Sequence, residues 1–173
     1  MAGFMGVILV NLFLDQIDER KTISKTEKFL EELLPEFINY SGLPLADLSS
    51  PALDPSGVAG GSNVNHADNK FIKNIEKMTV VQKCECSVDA VIETINSCSD
   101  TQRQPYKNIL FRKYVKKDFD LWIYQDMNLS KSKFRELKRE AILQFAKKSL
   151  RYREKYHVET MIPKLLVTIK RPK

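Results

Sequence analysis

The strongest constraint on this chain is a helical signal that begins at Ser130 and runs from Lys131 to about Tyr156. Ser130 is a good N-cap, because its hydroxyl can accept a hydrogen bond from a free amide of the first turn. Behind it Phe134, Leu137, Ala141 and Phe145 recur at three- and four-residue spacing, which marks one buried face. Two shorter helical segments precede it. Residues 101–117 place Tyr106, Ile109, Leu110 and Tyr114 on one side, with Pro105 tolerated in the first turns. Residues 119–127 gather Phe119, Trp122, Ile123 and Met127, and Asn128-Leu129-Ser130 then breaks the pattern. A support helix, a short second helix, a tight turn and a longer third helix make a helix-turn-helix.

Upstream, composition separates further zones. Residues 1–40 carry an apolar run, Phe4 to Leu14, and then a helical pattern of Phe29, Leu30, Leu33, Leu34, Phe37 and Ile38. Pro35 is expected to end or kink that helix near Leu34. Residues 41–69 hold four of the six Gly and three of the seven Pro, show no helical or strand period, and read as a flexible linker. Residues 70–98 form a long-helix candidate for packing or oligomerisation, with Phe71, Ile75, Met78, Val88, Val91, Ile92 and Ile95 as an interrupted stripe. The helix-turn-helix zone occupies 99–157, opening at a cap-like Ser99-Asp100. Residues 158–173 read as a short strand, about 162–170, and a basic tail. The expected fold is mainly α, with short terminal strands at most.

Several functional classes find little support. Three Cys, an odd number without dense spacing, exclude a secreted disulfide scaffold and fit a reducing cytoplasm. Phe4 to Leu14 is too short to span a bilayer, which needs about 20 residues. It has no Lys or Arg before it and acidic Asp15, Asp18 and Glu19 close behind, unlike a signal peptide. A buried strand or short helix is the expected role; self-association, or a place upstream of the natural start, are the alternatives. Cys84 and Cys86, two apart on a helix, point away from each other and lack further ligands, so no metal is expected. Gly60-Gly61 lacks the following Lys-Ser/Thr of a phosphate loop. The two His, His66 and His157, stand in the linker and past the last helix, and Asp118, Asp120, Glu31 and Glu32 have no partner set for catalysis. No enzyme and no cofactor are expected.

Charge is segregated along the chain. Residues 1–100 hold 8 Lys and Arg against 15 Asp and Glu, whereas residues 101–173 hold 20 against 7, within a total of +6. Such a distribution points to a polyanion facing the C-terminal half. The third helix of the motif suits duplex DNA. Its small polar start, Ser130-Lys131-Ser132-Lys133, lets the N-terminus approach phosphate. The face opposite Phe134 and Leu137 carries Ser132, Arg135, Glu136 and Arg139. Arg135 and Arg139 are spaced to project together into a major groove, where Arg pairs with guanine O6 and N7. Lys131, Lys133 and Lys138 fit phosphate contacts, which position without reading sequence. Lys147, Lys148, Arg151 and Arg153 extend the positive surface, and Arg103, Lys107, Arg112, Lys113, Lys116 and Lys117 are candidates to flank the duplex. A merely solvated face would mix signs more evenly.

The run Asn128-Leu129-Ser130-Lys131-Ser132-Lys133-Phe134-Arg135-Glu136-Leu137-Lys138-Arg139-Glu140-Ala141-Ile142-Leu143-Gln144-Phe145-Ala146 resembles the ArpU-type phage transcriptional regulators, relatives of the RinA-type late activators. The resemblance extends to Phe13 through Thr22, the glycine-rich linker, the helix before Ser99 and Leu165-Leu166-Val167. It implies a C-terminal part similar to region 4 of sigma-70-like factors. It also implies a sequence-specific, DNA-binding activator of phage or prophage late genes for packaging, morphogenesis and lysis. By motif, Ser130, Lys131, Ser132, Lys133, Arg135, Glu136, Lys138 and Arg139 fall on the recognition helix. The expected partners are double-stranded DNA, RNA polymerase, and a second copy in a homodimer or low homo-oligomer, with no membrane. Two alternatives remain: a sigma-like factor dependent on RNA polymerase, and a small DNA-packaging subunit of the terminase type.

Overall fold

In the computed structural model of the protein, which describes residues 16–43, Leu48 and residues 79–169, nearly all regular structure is helical. In chain order the elements are α1 (Glu19–Lys28), a π-helical turn (Phe29–Leu33), α2 (Leu34–Ser41) and α3 (Val80–Ser97). There follow α4 (Tyr106–Leu110), a second π-helical turn (Phe111–Val115), α5 (Asp120–Asp126) and α6 (Lys131–Lys155). The fold is mainly α, as the sequence pattern predicts. The apolar run Phe4 to Leu14, most of the 41–69 linker and residues 70–78 lie outside the described residues.

Pro35 does not end its helix. It stands in the first turn of α2, where a missing amide costs least, and the helical path continues to Ser41. The π-helical turn just before it widens the spiral, so that Phe29, Leu30, Leu34, Phe37 and Ile38 all reach the core. Leu33, expected on that face, is rotated outward and is 40% exposed. Gly42 closes α2 with φ 68°, a left-handed conformation that costs glycine nothing. The next described helix, α3, opens with a reciprocal capping box. Thr79 Oγ1 accepts from the Gln82 amide at 3.3 Å, and Gln82 Oε1 accepts from the Thr79 amide at 2.9 Å.

The core is organised around α6, against which α1, α3 and α4 all pack, while α3 also lies against α2. Phe134, Leu137, Ala141 and Phe145 are buried as predicted, and Ile142, Ala146 and Ser149 widen the buried face further along the helix. Past α6 the chain turns at His157 and buries Val158, Ile162 and Leu165. Arg153 Nε donates to the Ile162 carbonyl at 2.6 Å, holding this return segment to the end of α6. The expected closing strand is, over its described part, a single antiparallel bridge of Thr168 with Ile17. Asp18 N donates to Val167 O at 2.8 Å and Ile169 N to Gln16 O at 2.7 Å. Val167 N donates to Thr22 Oγ1 at 3.0 Å.

The buried start of α6 is expected to dominate stability. Phe134→Ala should cost about 3–5 kcal/mol in urea unfolding, and Ser130→Ala about 1 kcal/mol through loss of the cap. A Phe134→Ala cost no larger than the Ser130→Ala cost would contradict this account of the core.

Candidate nucleic-acid interface

Helix α5 and the start of α6 are held at a fixed relation by packing and by charge. Ile123 is fully buried, and the Tyr124 ring lies 5.9 Å from that of Phe134, joining the two helices through their apolar sides. The turn between them places Asn128 at φ 52°, a left-handed conformation that asparagine tolerates well. Leu129 N then donates to Tyr124 O at 2.8 Å. Arg112 brackets both ends of α5: Nε contacts Asp118 at 2.7 Å and Nη2 contacts Asp126 at 2.8 Å. Burial opposes its charge, but these two carboxylates outweigh burial and raise its pKa.

Asp120 forms a second bracket. Its carboxylate meets Lys113 at 2.8 Å and Lys138 at 3.4 Å, and Lys138 also approaches Glu27 at 3.8 Å. Burial pushes the Asp120 pKa upward, yet the hydrogen bond from Lys113 and the charges of Lys138 and Lys113 together hold it below its ordinary value. Lys138, expected at a phosphate, is therefore turned inward with its side chain only 18% exposed, tying α6 to α5 and α1. Arg112 and Lys113, expected to flank a duplex, likewise serve this bracket.

The other residues expected to form a recognition helix lie together on the outer side of α6. Ser130, Lys131, Ser132, Lys133, Arg135, Glu136 and Arg139 are all exposed. The Ser130 hydroxyl is occupied as the cap, accepting from Lys133 N at 3.2 Å. Lys133 pairs with Glu136 at 3.0 Å in the open, a contact worth little in water. Lys131, Arg135 and Arg139 make no ion pair among the described residues.

Arg135 and Arg139 line a shallow depression of about 320 Å³ with Glu19, Glu136, Glu140 and Leu143. Sequence reasoning missed three of these. Glu140 and Leu143 continue the three- and four-residue spacing of Ser132, Arg135, Glu136 and Arg139, a signal present in the pattern. Glu19 comes from the start of α1, far away in the chain, and no local pattern announces it. Glu140 accepts from the Tyr106 hydroxyl at 2.5 Å, and burial together with this bond pushes the Tyr106 pKa up to about 12. That contact fixes one wall of the depression to α4.

Much of the remaining positive charge is spent within the molecule. Lys148 donates to the Ser97 carbonyl, Arg153 to the Ile162 and Glu159 carbonyls, and Lys155 pairs with Glu93 at 3.0 Å. Lys147 and Arg151 stay exposed. Neither a family model, nor a curated protein, nor a solved structure matches the chain. Among the described residues, no helix is long and apolar enough to cross a membrane, and no group of three or more His, Cys, Asp or Glu could hold a metal ion. Burial raises the Cys98 thiol to about 11, against an opposing charge from Lys148, which keeps it protonated and unreactive at neutral pH.

The Asp120 bracket generates a pH prediction. A carboxyl whose folded pKa is depressed stabilises the fold above its unfolded pKa, and that stabilisation is lost as pH falls through the folded value. Asp120→Asn should lower stability at pH 7 by less than about 1 kcal/mol, since the side chain is 41% exposed. It should also flatten the decline of the wild-type chain on acidification below its ordinary carboxylate pKa of 3.8, read by urea unfolding at a series of pH values. An acid decline as steep in Asp120→Asn as in the wild type would contradict the assignment.

Proposed function

We propose that the chain is a sequence-specific, double-stranded-DNA-binding regulator of transcription without catalytic activity. It reads bases with the exposed start of α6 and activates phage or prophage late genes. The observation that carries this reading is the contrast between the two sides of α6. One side is locked by Phe134, Leu137 and Lys138, while Ser132, Arg135, Glu136 and Arg139 stand outward with both arginines free of ion pairs among the described residues. Long side chains on a helix held rigid from behind can enter a major groove at little further cost in order. The late-gene assignment follows from the resemblance of residues 128–146 to ArpU-type regulators. RNA polymerase is the partner that an activator of this type would engage, within the host cytoplasm.

Arg135 and Arg139 are assigned to guanine edges, and Lys131 and Lys133 to phosphates. Glu136 and Glu140 beside the arginines match cytosine amino groups, which carboxylates accept. The test begins by selecting the preferred duplex from a random pool, then measures binding to it and to a scrambled duplex across a salt series. Arg135→Ala and Arg139→Ala should each cost roughly 1–3 kcal/mol on the selected duplex and relax preference, while Lys131→Ala weakens both duplexes alike. No enriched duplex, or equal binding to both, would overturn the proposal and leave only a generic basic surface.

A further inference from the structure

We propose that the chain pairs with a second copy of itself by seating the acidic, partly apolar face of α2 and the turn before it on an aromatic patch at the start of α5. The two surfaces are complementary in both apolar character and charge. Phe119, Leu121 and Trp122 are 65%, 46% and 54% exposed within four consecutive residues. The Phe119 and Trp122 rings pack edge to face at 4.9 Å, so the patch is one preformed surface. Its neighbouring acids are already paired, three against three bases: Arg112 contacts Asp118 and Asp126, and Lys113 and Lys138 contact Asp120. Lys116 and Lys117 are exposed and make no ion pair among the described residues. The patch is therefore apolar with a positive rim.

The opposite surface lies on the same chain. Glu32, Glu36 and Tyr40 follow one another at four-residue spacing, and the π-helical turn rotates Leu33 out beside them. Leu33 is 40% and Tyr40 62% exposed, and Glu32 has only a loose 3.9 Å contact with Lys28. A two-fold axis would make the contact reciprocal, each copy giving its acidic face and receiving on its aromatic one. Stable interfaces bury roughly 1,200–2,000 Å² in total, more than one three-residue patch supplies, so the pairing requires both reciprocal contacts. This pairing does not depend on the DNA-reading role of α6.

The test uses the full chain in sedimentation velocity across a concentration series, with the emission of Trp122, its only tryptophan, as a local readout. The wild type should dimerise, more tightly at low salt, with Trp122 emission shifting to the blue as the dimer forms. Lys116→Glu with Lys117→Glu, and separately Glu32→Lys with Glu36→Lys, should each weaken dimerisation at least tenfold. Mixing these two double variants should restore a dimer, because both reciprocal contacts again join opposite charges. All four positions are exposed, and circular dichroism checks that each variant folds. A monomer at every concentration, a dimer indifferent to both reversals, or a mixture that fails to associate would overturn the proposal. So would quenching of Trp122 by duplex DNA without any dimer, which would make DNA the occupant of the patch.

Discussion

The whole arrangement depends on gripping one long helix from behind while leaving its opposite side open. α6 is the only described element long enough to meet α1, α3 and α4 at once, and its buried face supplies the seam on which they converge. Near its start the seam is narrow, built on Phe134 and Leu137, so Arg135, Glu136 and Arg139 can face solvent. Further along, Ile142, Ala146 and Ser149 broaden it, and the helix becomes an interior element. The transition explains how one helix can be both the centre of the core and an accessible surface. Burial of large side chains supplies most of the grip, since apolar area removed from water is the dominant favourable contribution to folding.

Charge supplies the fine positioning. Arg112 holds the two ends of α5 through Asp118 and Asp126, and Asp120 links α5 to Lys113 and to Lys138 of α6. Glu27 of α1 approaches the same Lys138. Four elements thus meet in a small set of ion pairs around the helix-turn-helix arrangement. Pairs of this kind, partly open to water, add little net stability. Their effect is to restrict how α5 can lie against α6, a matter of geometry rather than of total free energy.

The individual helices were largely legible in the sequence, because helical periodicity and capping are local signals, and their packing on α6 was not. Ser130, the buried set from Phe134 to Phe145 and the Asn128 turn follow from such signals, whereas the helix expected from residue 101 begins only at Tyr106, uncapped by Ser99-Asp100, and Phe119 and Trp122 are exposed rather than packed with Ile123. Pro35 does not end its helix, and Leu33 misled, since the π-helical turn reassigns which side chains face inward and periodicity assumes a constant spiral. Of the closing strand, the described residues show one bridge, Thr168 with Ile17, a pairing of distant segments that no local pattern specifies. At the candidate interface the exposed residues were legible and their pairing was not. Lys138 and Arg112 look like other basic residues in the sequence, yet contacts with Glu27, Asp120, Asp118 and Asp126 decide that they face inward. Glu19 was beyond reach, for its neighbours come from the distant end of the chain.

The strong separation of charge along the chain does not become two separate charged bodies. Glu27 and Glu93, from the acidic half, meet Lys138 and Lys155 of α6, so acidic segments neutralise its flanks. Other basic side chains donate to carbonyls, Lys148 to that of Ser97 at the end of α3 and Arg153 to that of Ile162 in the return segment after α6. What stays outward on α6 is a mixed set, in which Arg135 and Arg139 share a depression with Glu19, Glu136 and Glu140. Carboxylates beside arginines reduce attraction to any polyanion and reward only a ligand that offers acceptors to one and donors to the other. The basic excess of the sequence therefore overstates the general stickiness of this face, and its chemistry favours discrimination over affinity.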